Sequence, residues 1–280
     1  MDLTNPTQIK DLLERHSFHF SKTFGQNFLI TARIPEKIAE GAAIDENTTV
    51  LEIGPGIGCL TRCLAARAKR VVTVEIDDRL LPILNETLGD LDNVQVVHGD
   101  ILKTDLNALL GAEEKLAVCA NLPYNITTPI LVYLLESGLP FESITVMVQK
   151  EVAQRFCAEK GSKDYGAITL FLNYYTKPKM LFSVGAGNFL PKPRVDSAVL
   201  RLQAIQPPVD TPPEDLFRLI RAAFSMRRKT LQNTLASAGI AKERTAAALE
   251  ALNLPATTRG EELGLAEYAA LARELNNIGE

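Results

Sequence analysis

Long apolar runs are missing from this chain. No run among its 280 residues reaches the ~18 that a membrane-spanning helix needs. The opening segment MDLTNPTQIKDLLERH holds no apolar signal core. The expectation is a cytoplasmic chain with no membrane partner. Cysteine and histidine are scarce: four and three. Cys59 and Cys63 lack a second ligand pair, and no carboxylate or cysteine pattern joins His16 to His19. No metal is therefore expected, and the cysteines read as buried, reduced thiols. An excess of positive charge is also absent. Thirty basic side chains stand against 34 acidic ones, so overall charge does not point to nucleic acid.

What is present suits a globular protein: 46% apolar and 23% charged residues, and length for a large core plus a smaller appendage. The charge is uneven. Residues 1–141 carry 12 basic and 19 acidic side chains, whereas 177–229 carry 10 and 4. A local basic surface on an acidic protein follows.

After a mixed polar segment over 1–30, a helix is predicted over 31–44, and then short β-rich apolar runs alternate with helical patterns. Strands are predicted at 48–54, 70–77, 93–100, 115–124 and 143–149, with later ones at 179–184 and 197–205. This is the pattern of βαβ units on a parallel sheet. QPPVDTPPED, with four prolines in ten residues, reads as a linker at 206–215, and only helical patterns follow it.

Chemistry-bearing residues gather where these strands end: Gly54, Glu75, Asp100 and Asn121. In open α/β sheets, ligands bind beyond the carboxyl ends of the strands. Gly54, Gly56 and Gly58 follow the first predicted strand, which suits a close backbone approach to a ligand, or simply a turn that needs glycine. A dinucleotide fingerprint would put its third glycine at Cys59, so a nicotinamide reading is disfavoured. Glu75 lies 21 residues after Gly54, the spacing of an acid that accepts from ribose hydroxyls. Asp100 suits an adenine amine, with the Ile101 N–H on a ring nitrogen, or else a helix cap. In Asn121-Leu122-Pro123-Tyr124, the Asn121 oxygen and the Leu122 carbonyl can accept from an aromatic amine. Tyr124 offers a flat face to a base, or packs as part of a structural turn.

These motifs together resemble the S-adenosylmethionine-dependent ribosomal RNA adenine N6,N6-dimethyltransferases. ExGxGxG stands at 52–58, the acid at 75, GD at 99–100 and NLPY at 121–124. The likeness extends to QNFL at 26–29, FLPKPRVDS at 189–197 and FSMRRKTL at 224–231. It implies an α/β, Rossmann-like class I methyltransferase sheet with a small all-helical C-terminal domain. The expected domains are a segment 1–30 contributing to the cleft, a cofactor-binding domain over 31–205 and a helical domain over 206–280.

The resemblance also implies S-adenosylmethionine as cofactor. Asn27, Leu29 and Gly54 would lie at its methionine end, Glu75 on the ribose and Asp100 with Ile101 on the adenine. Asn121 would sit between cofactor and target amine, with Tyr124 and Phe189 sandwiching the target base. The implied partner is 16S rRNA within an immature small ribosomal subunit, met by a monomeric enzyme that dimethylates two adjacent adenosines in the 3′-terminal hairpin loop. Lys22, Lys192, Arg194, Arg221, Arg227, Arg228 and Lys229 are candidate phosphate contacts. One helix over 216–235 would put Arg218, Arg221, Arg228 and Lys229 on a shared face. Two other functions compete. A DNA adenine N6-methyltransferase is disfavoured by Asn rather than Asp at 121. A ribosome-assembly factor with incidental catalysis is disfavoured by the intact site.

Overall fold

The computed structural model describes residues 1–21, 25–226 and 228–277. Two compact units form: residues 1–153 with 179–204, and residues 154–178 with 205 onward. The second unit thus takes in a stretch far upstream of the proline-rich linker.

The first unit opens with α1 (Pro6–Arg15), a short β1 (Phe28–Leu29) and α2 (Arg33–Gly41). The alternation then runs β2 (Thr49–Ile53), α3 (Cys59–Ala65), β3 (Arg70–Glu75), α4 (Leu81–Leu88), β4 (Val94–His98), α5 (Leu106–Leu110), β5 (Leu116–Asn121), α6 (Thr127–Glu136) and β6 (Phe141–Gln149). Next come α7 (Lys150–Phe156), α8 (Ala167–Tyr175), β7 (Thr176–Val184), β8 (Phe189–Leu190) and β9 (Ser197–Ala204). Seven strands make one sheet in the order β4-β3-β2-β5-β6-β9-β7. β2, β3, β4, β5 and β6 pair in parallel, and β9 runs antiparallel to β6. β2 and β5 are buried along nearly their whole length, as strands covered on both faces must be.

α1 is the element that the polar composition of 1–30 conceals. Its Asn5 cap accepts from the Thr7 and Gln8 N–H groups, and Pro6 starts it without an orphan donor. Ile9, Leu12 and Leu13 form its single apolar stripe and share a core cluster with Ile83, Leu84 and Leu88. Arg15 and His16 reach Glu86 at the end of that contact.

In the second unit the helices α9 (Pro213–Ala223), α10 (Leu231–Ser237), α11 (Lys242–Ala251) and α12 (Leu265–Asn277) follow the linker. Phe171, Tyr174 and Tyr175 of α8 surround the Phe217 ring of α9, with centroids 5.0–6.0 Å apart. Tyr268 is fully buried and satisfies its hydroxyl on the Gly260 carbonyl. The condition for a shared basic face, one continuous helix over 216–235, is not met. α9 ends at Ala223 with Phe224 as its cap, the Ser225 hydroxyl takes up the Ala222 carbonyl, and Thr230 is extended before α10 begins. The shared basic face falls with it, and Arg218 pairs with Asp215. Among the described residues, no helix is long and apolar enough to cross a membrane.

Leu64 of α3 is fully buried in the core cluster between α2, α3 and the sheet. Leu64→Ala should cost ~3 kcal/mol of stability in urea unfolding; a loss under ~1 kcal/mol would contradict that placement.

Candidate active site

The chain builds β2, β3 and β4 outward in one direction, then returns to lay β5 on the other side of β2. The loops leaving β2 and β5 therefore part, and a crevice opens at their carboxyl ends. A pocket lies there with about 970 Å³ of empty space, counting the part open to solvent. Its wall is drawn from four motifs far apart in sequence: residues 25–29, 52–57 with 59 and 60, 99–101 and 121–124, with Val74, Glu75 and Ile76.

The glycine loop shapes the floor. Gly54, Gly56 and Gly58 all have positive φ, at 67°, 60° and 90°. A Cβ on Gly56 would come within 3.0 Å of the Phe28 ring, and one on Gly58 within 2.8 Å of Leu88. Gly54 differs: among the described residues, a Cβ there would meet no protein atom within 4 Å. Its positive φ calls for glycine, and its open side faces the pocket.

Two buried acids stand behind this loop. Glu75 ends β3, 4% exposed, and its Oε1 accepts from the Asp77 N–H at 2.8 Å. Burial pushes its carboxyl up to about 7, against the N–H groups of Asp77, Gly56 and Ile76 that favour the anion. Glu52, 1% exposed, is pushed to about 8, chiefly by burial. The Thr61 and Thr73 hydroxyls face it, yet among the described residues its Oε2 has no hydrogen-bond partner. Asp100 does both things the sequence allows. Its Oδ1 caps the following turn through the Leu102 N–H at 3.0 Å, and the residue lines the pocket.

On the other side of the crevice, the Leu122 N–H donates to the Met147 carbonyl, and the Pro123 carbonyl accepts from Ile126 N–H and Thr127 Oγ1. The loop is thereby fixed while Asn121 and Tyr124 remain half-buried at the wall. Asn121 Nδ2 donates to the Asn27 carbonyl at 3.3 Å, which turns its Oδ1 the opposite way. The Tyr124 hydroxyl pairs with Ser197 Oγ at 2.6 Å, and burial raises its pKa.

The segment 25–29 is clasped over the loop residue by residue. Gln26 Nε2 donates to Asp77 Oδ2 at 2.6 Å, and Arg79 grips both oxygens of the same carboxylate. Phe28 packs against Gly56, and β1 pairs antiparallel with β8.

The structure brings Asn27, Leu29, Gly54, Glu75, Asp100, Ile101, Asn121, Leu122 and Tyr124 to one pocket. Phe189 is not among its lining residues. That ring is 2% exposed, packed in the core cluster with Leu29, Ile38 and Val199. Lys192 and Arg194 are exposed in the first unit; Arg221, Arg228 and Lys229 are exposed in the second. Lys22 and Arg227 lie outside the described residues. Sequence reasoning gave no role to Glu52, Ile76 or Asp77 in the pocket or its clasp. Ile76 is 46% exposed, an aliphatic side chain at a strand end lining the pocket. Its place directly after Glu75 was the available signal.

With this geometry in view, the profile of the ribosomal RNA adenine dimethylase family matches residues 17–276. The chain belongs to that family. The ribosomal RNA small subunit methyltransferase A of Geobacillus thermodenitrificans is 46% identical over 284 residues, covering 98% of this chain and 97% of the relative. The protein of that name from Clostridium perfringens is 45% identical over 276 residues, covering 97% of each. A dimethyladenosine transferase from Plasmodium falciparum superposes with a TM-score of 0.77 at 28% identity, covering 90% of this chain and 98% of that one. The 23S rRNA methyltransferase ErmE superposes with 0.69 at 29%, covering 89% and 100%. The sheet of this dimethylase-family chain is accordingly the α/β class I methyltransferase fold.

The buried acids make the stability of this family member pH-dependent. Glu52 has a folded pKa of about 8 against an ordinary 4.5. Its contribution is complete below pH 4.5 and is lost as pH rises through 8; Glu75 acts in the same direction through about 7. Ligand-free protein should therefore lose a few kcal/mol between pH 5 and 8, at ~1.4 kcal/mol per pKa unit. Glu52→Gln should remove the larger share of that slope in urea titrations; parallel wild-type and variant curves would contradict the assignment.

Proposed function

We propose that the chain transfers methyl groups from S-adenosylmethionine to the N6 amines of two adjacent adenosines in the 3′-terminal hairpin loop of 16S rRNA. The reading extends to a monomeric, cytoplasmic enzyme acting on an immature small subunit. The observation that carries it is the convergence of QNFL, ExGxGxG, GD and NLPY residues on one pocket at the strand-order reversal. Family membership and the names of the full-length relatives supply the RNA.

The residues suit this cofactor. The inward Glu75 carboxyl and the exposed Ile76 edge suit an adenosyl group, and the open side of Gly54 suits the methionine end. Glu75 would accept from the ribose hydroxyls and Asp100 from the adenine amine, with Ile76 against the ring. When bound, S-adenosylmethionine supplies an electrophilic methyl on a positively charged sulfur.

The remaining work falls to Asn121, Leu122 and Tyr124. The N6 lone pair of adenine is delocalised into the ring and is a poor nucleophile. Asn121 Oδ1 and the Leu122 carbonyl accept its two N–H groups and favour the pyramidal geometry of attack. That interaction strengthens as charge moves onto nitrogen, so it lowers the barrier rather than merely adding affinity. No strong base is needed, because the amine gains the charge that the sulfur loses. Tyr124 stacks on the base. Its ~1–3 kcal/mol of stacking offsets much of the cost of extruding a loop nucleotide. The exposed Lys192, Arg194, Arg221, Arg228 and Lys229 would meet phosphates.

Small-subunit rRNA incubated with the protein and S-adenosylmethionine should yield N6,N6-dimethyladenosine at two neighbouring positions by nucleoside mass analysis. Label entering duplex DNA instead would move the reading to a DNA methyltransferase. Binding of immature subunits with no methylation would make the protein an assembly factor. Glu75→Ala should weaken donor binding ~10-fold or more by calorimetry, and an unchanged affinity would refute the ribose role. Asn121→Ala should lower kcat ~100-fold; a near-normal kcat would remove the amide from the reaction.

A further inference from the structure

Stacking alone does not explain why Tyr124 carries a hydroxyl. A phenylalanine offers the same flat face for stacking. The hydroxyl is nonetheless paired at 2.6 Å with Ser197 Oγ, 73 residues away in sequence. Ser197 is fully buried and opens β9, in register with Gln149 on β6. Its neighbour Asp196 is held on both sides: the carbonyl accepts from the Lys150 N–H, and the carboxylate accepts from the Ala186 N–H. The phenol is thus tied to the hydrogen-bonded start of a strand in the central sheet. Burial also keeps it protonated, which excludes it as a base.

We propose that Ser197 is a positioning residue whose hydrogen bond to the Tyr124 phenol holds the ring for the second methyl transfer, and so sets the proportion of dimethylated product. This rests on the reading of Tyr124 as the stacking surface for the target base.

The two transfers differ in what orients the amine. In the first, both N–H groups are held, one by Asn121 Oδ1 and one by the Leu122 carbonyl. After it, N6 carries a methyl and a single N–H, and one of those two anchors is lost. In the second transfer the N6 lone pair forms a bond to the donor's methyl carbon. The carbon–sulfur bond breaks with its electron pair going to sulfur, and the remaining N6 proton passes to water. With one polar anchor gone, the base relies more on the ring beneath it. A near-attack geometry is sensitive to displacements of about 1 Å. A ring freed to rotate therefore costs the second step more than the first.

The test measures N6-methyladenosine and N6,N6-dimethyladenosine over a time course on small-subunit rRNA, for Ser197→Ala, Tyr124→Phe, the double variant and Tyr124→Ala. Donor affinity and thermal midpoint are measured alongside. Ser197→Ala and Tyr124→Phe should each raise the monomethyl fraction several-fold at equal first-step conversion, with donor affinity within twofold of wild type. The double variant should match either single one, because both remove the same bond. A wild-type product ratio in both single variants, or additive effects in the double, would overturn the inference while Tyr124→Ala remains slow. Tyr124→Ala with both steps at wild-type rates would instead remove the stacking reading on which it rests. Tyr124→Phe keeps the test decisive if Ser197→Ala does not fold, since it breaks the bond without opening a cavity at the buried serine.

Discussion

A sheet that grows outward from one strand and then restarts on that strand's other side forces two loops apart. Here the strand is β2, and the loops are the glycine turn after it and NLPY after β5. Everything functional depends on that parting. It leaves backbone uncovered where a packed sheet would bury it, and it puts a carboxylate-bearing strand end, Glu75, beside a loop that presents an amide and an aromatic ring. The polar ends of β2, β3, β4 and β5 face a cleft and not the apolar layers.

The cleft is held open by ties that cross long sequence separations. Gln26, Asp77 and Arg79 clasp the segment before β1 to the end of β3. β1 and β8 pair, so that the residues around Leu29 and Phe189 share one small ribbon. Tyr124 is tied to Ser197. Each tie joins a motif that the sequence shows only as an isolated string of letters. Behind them, Glu52 and Glu75 keep carboxyls out of water. Their burial costs stability as pH rises from about 5 to 8, and buried acids of this kind gather at functional sites.

The alternating core was legible because parallel strands announce themselves as short apolar runs bounded by glycine or acid. The five strands expected between 48 and 149 all formed, with ends shifted by a few residues at most. Two elements escaped. α1 hides in polar composition, since only Ile9, Leu12 and Leu13 carry its buried stripe. α8 was unread because an aromatic-rich run looks alike in helix and strand, and its packing on Phe217 is a tertiary fact. Within the site, residue types at strand ends could be read from spacing, as could a packed place for Phe189 when read alone, but the clasp of Gln26 on Asp77 and the pairing of β1 with β8 could not. Both depend on which loops meet in space.

The central claim is that the crevice at the strand-order reversal holds the methyl donor with its sulfur toward Asn121. A crystal structure with S-adenosylhomocysteine bound tests it most directly. The account predicts ribose hydroxyls within hydrogen-bond distance of the Glu75 carboxylate, the base against Ile76, and the sulfur beside the Asn121 carboxamide with Tyr124 flanking open space. An adenosyl group seated elsewhere, or a sulfur turned away from Asn121, would contradict it.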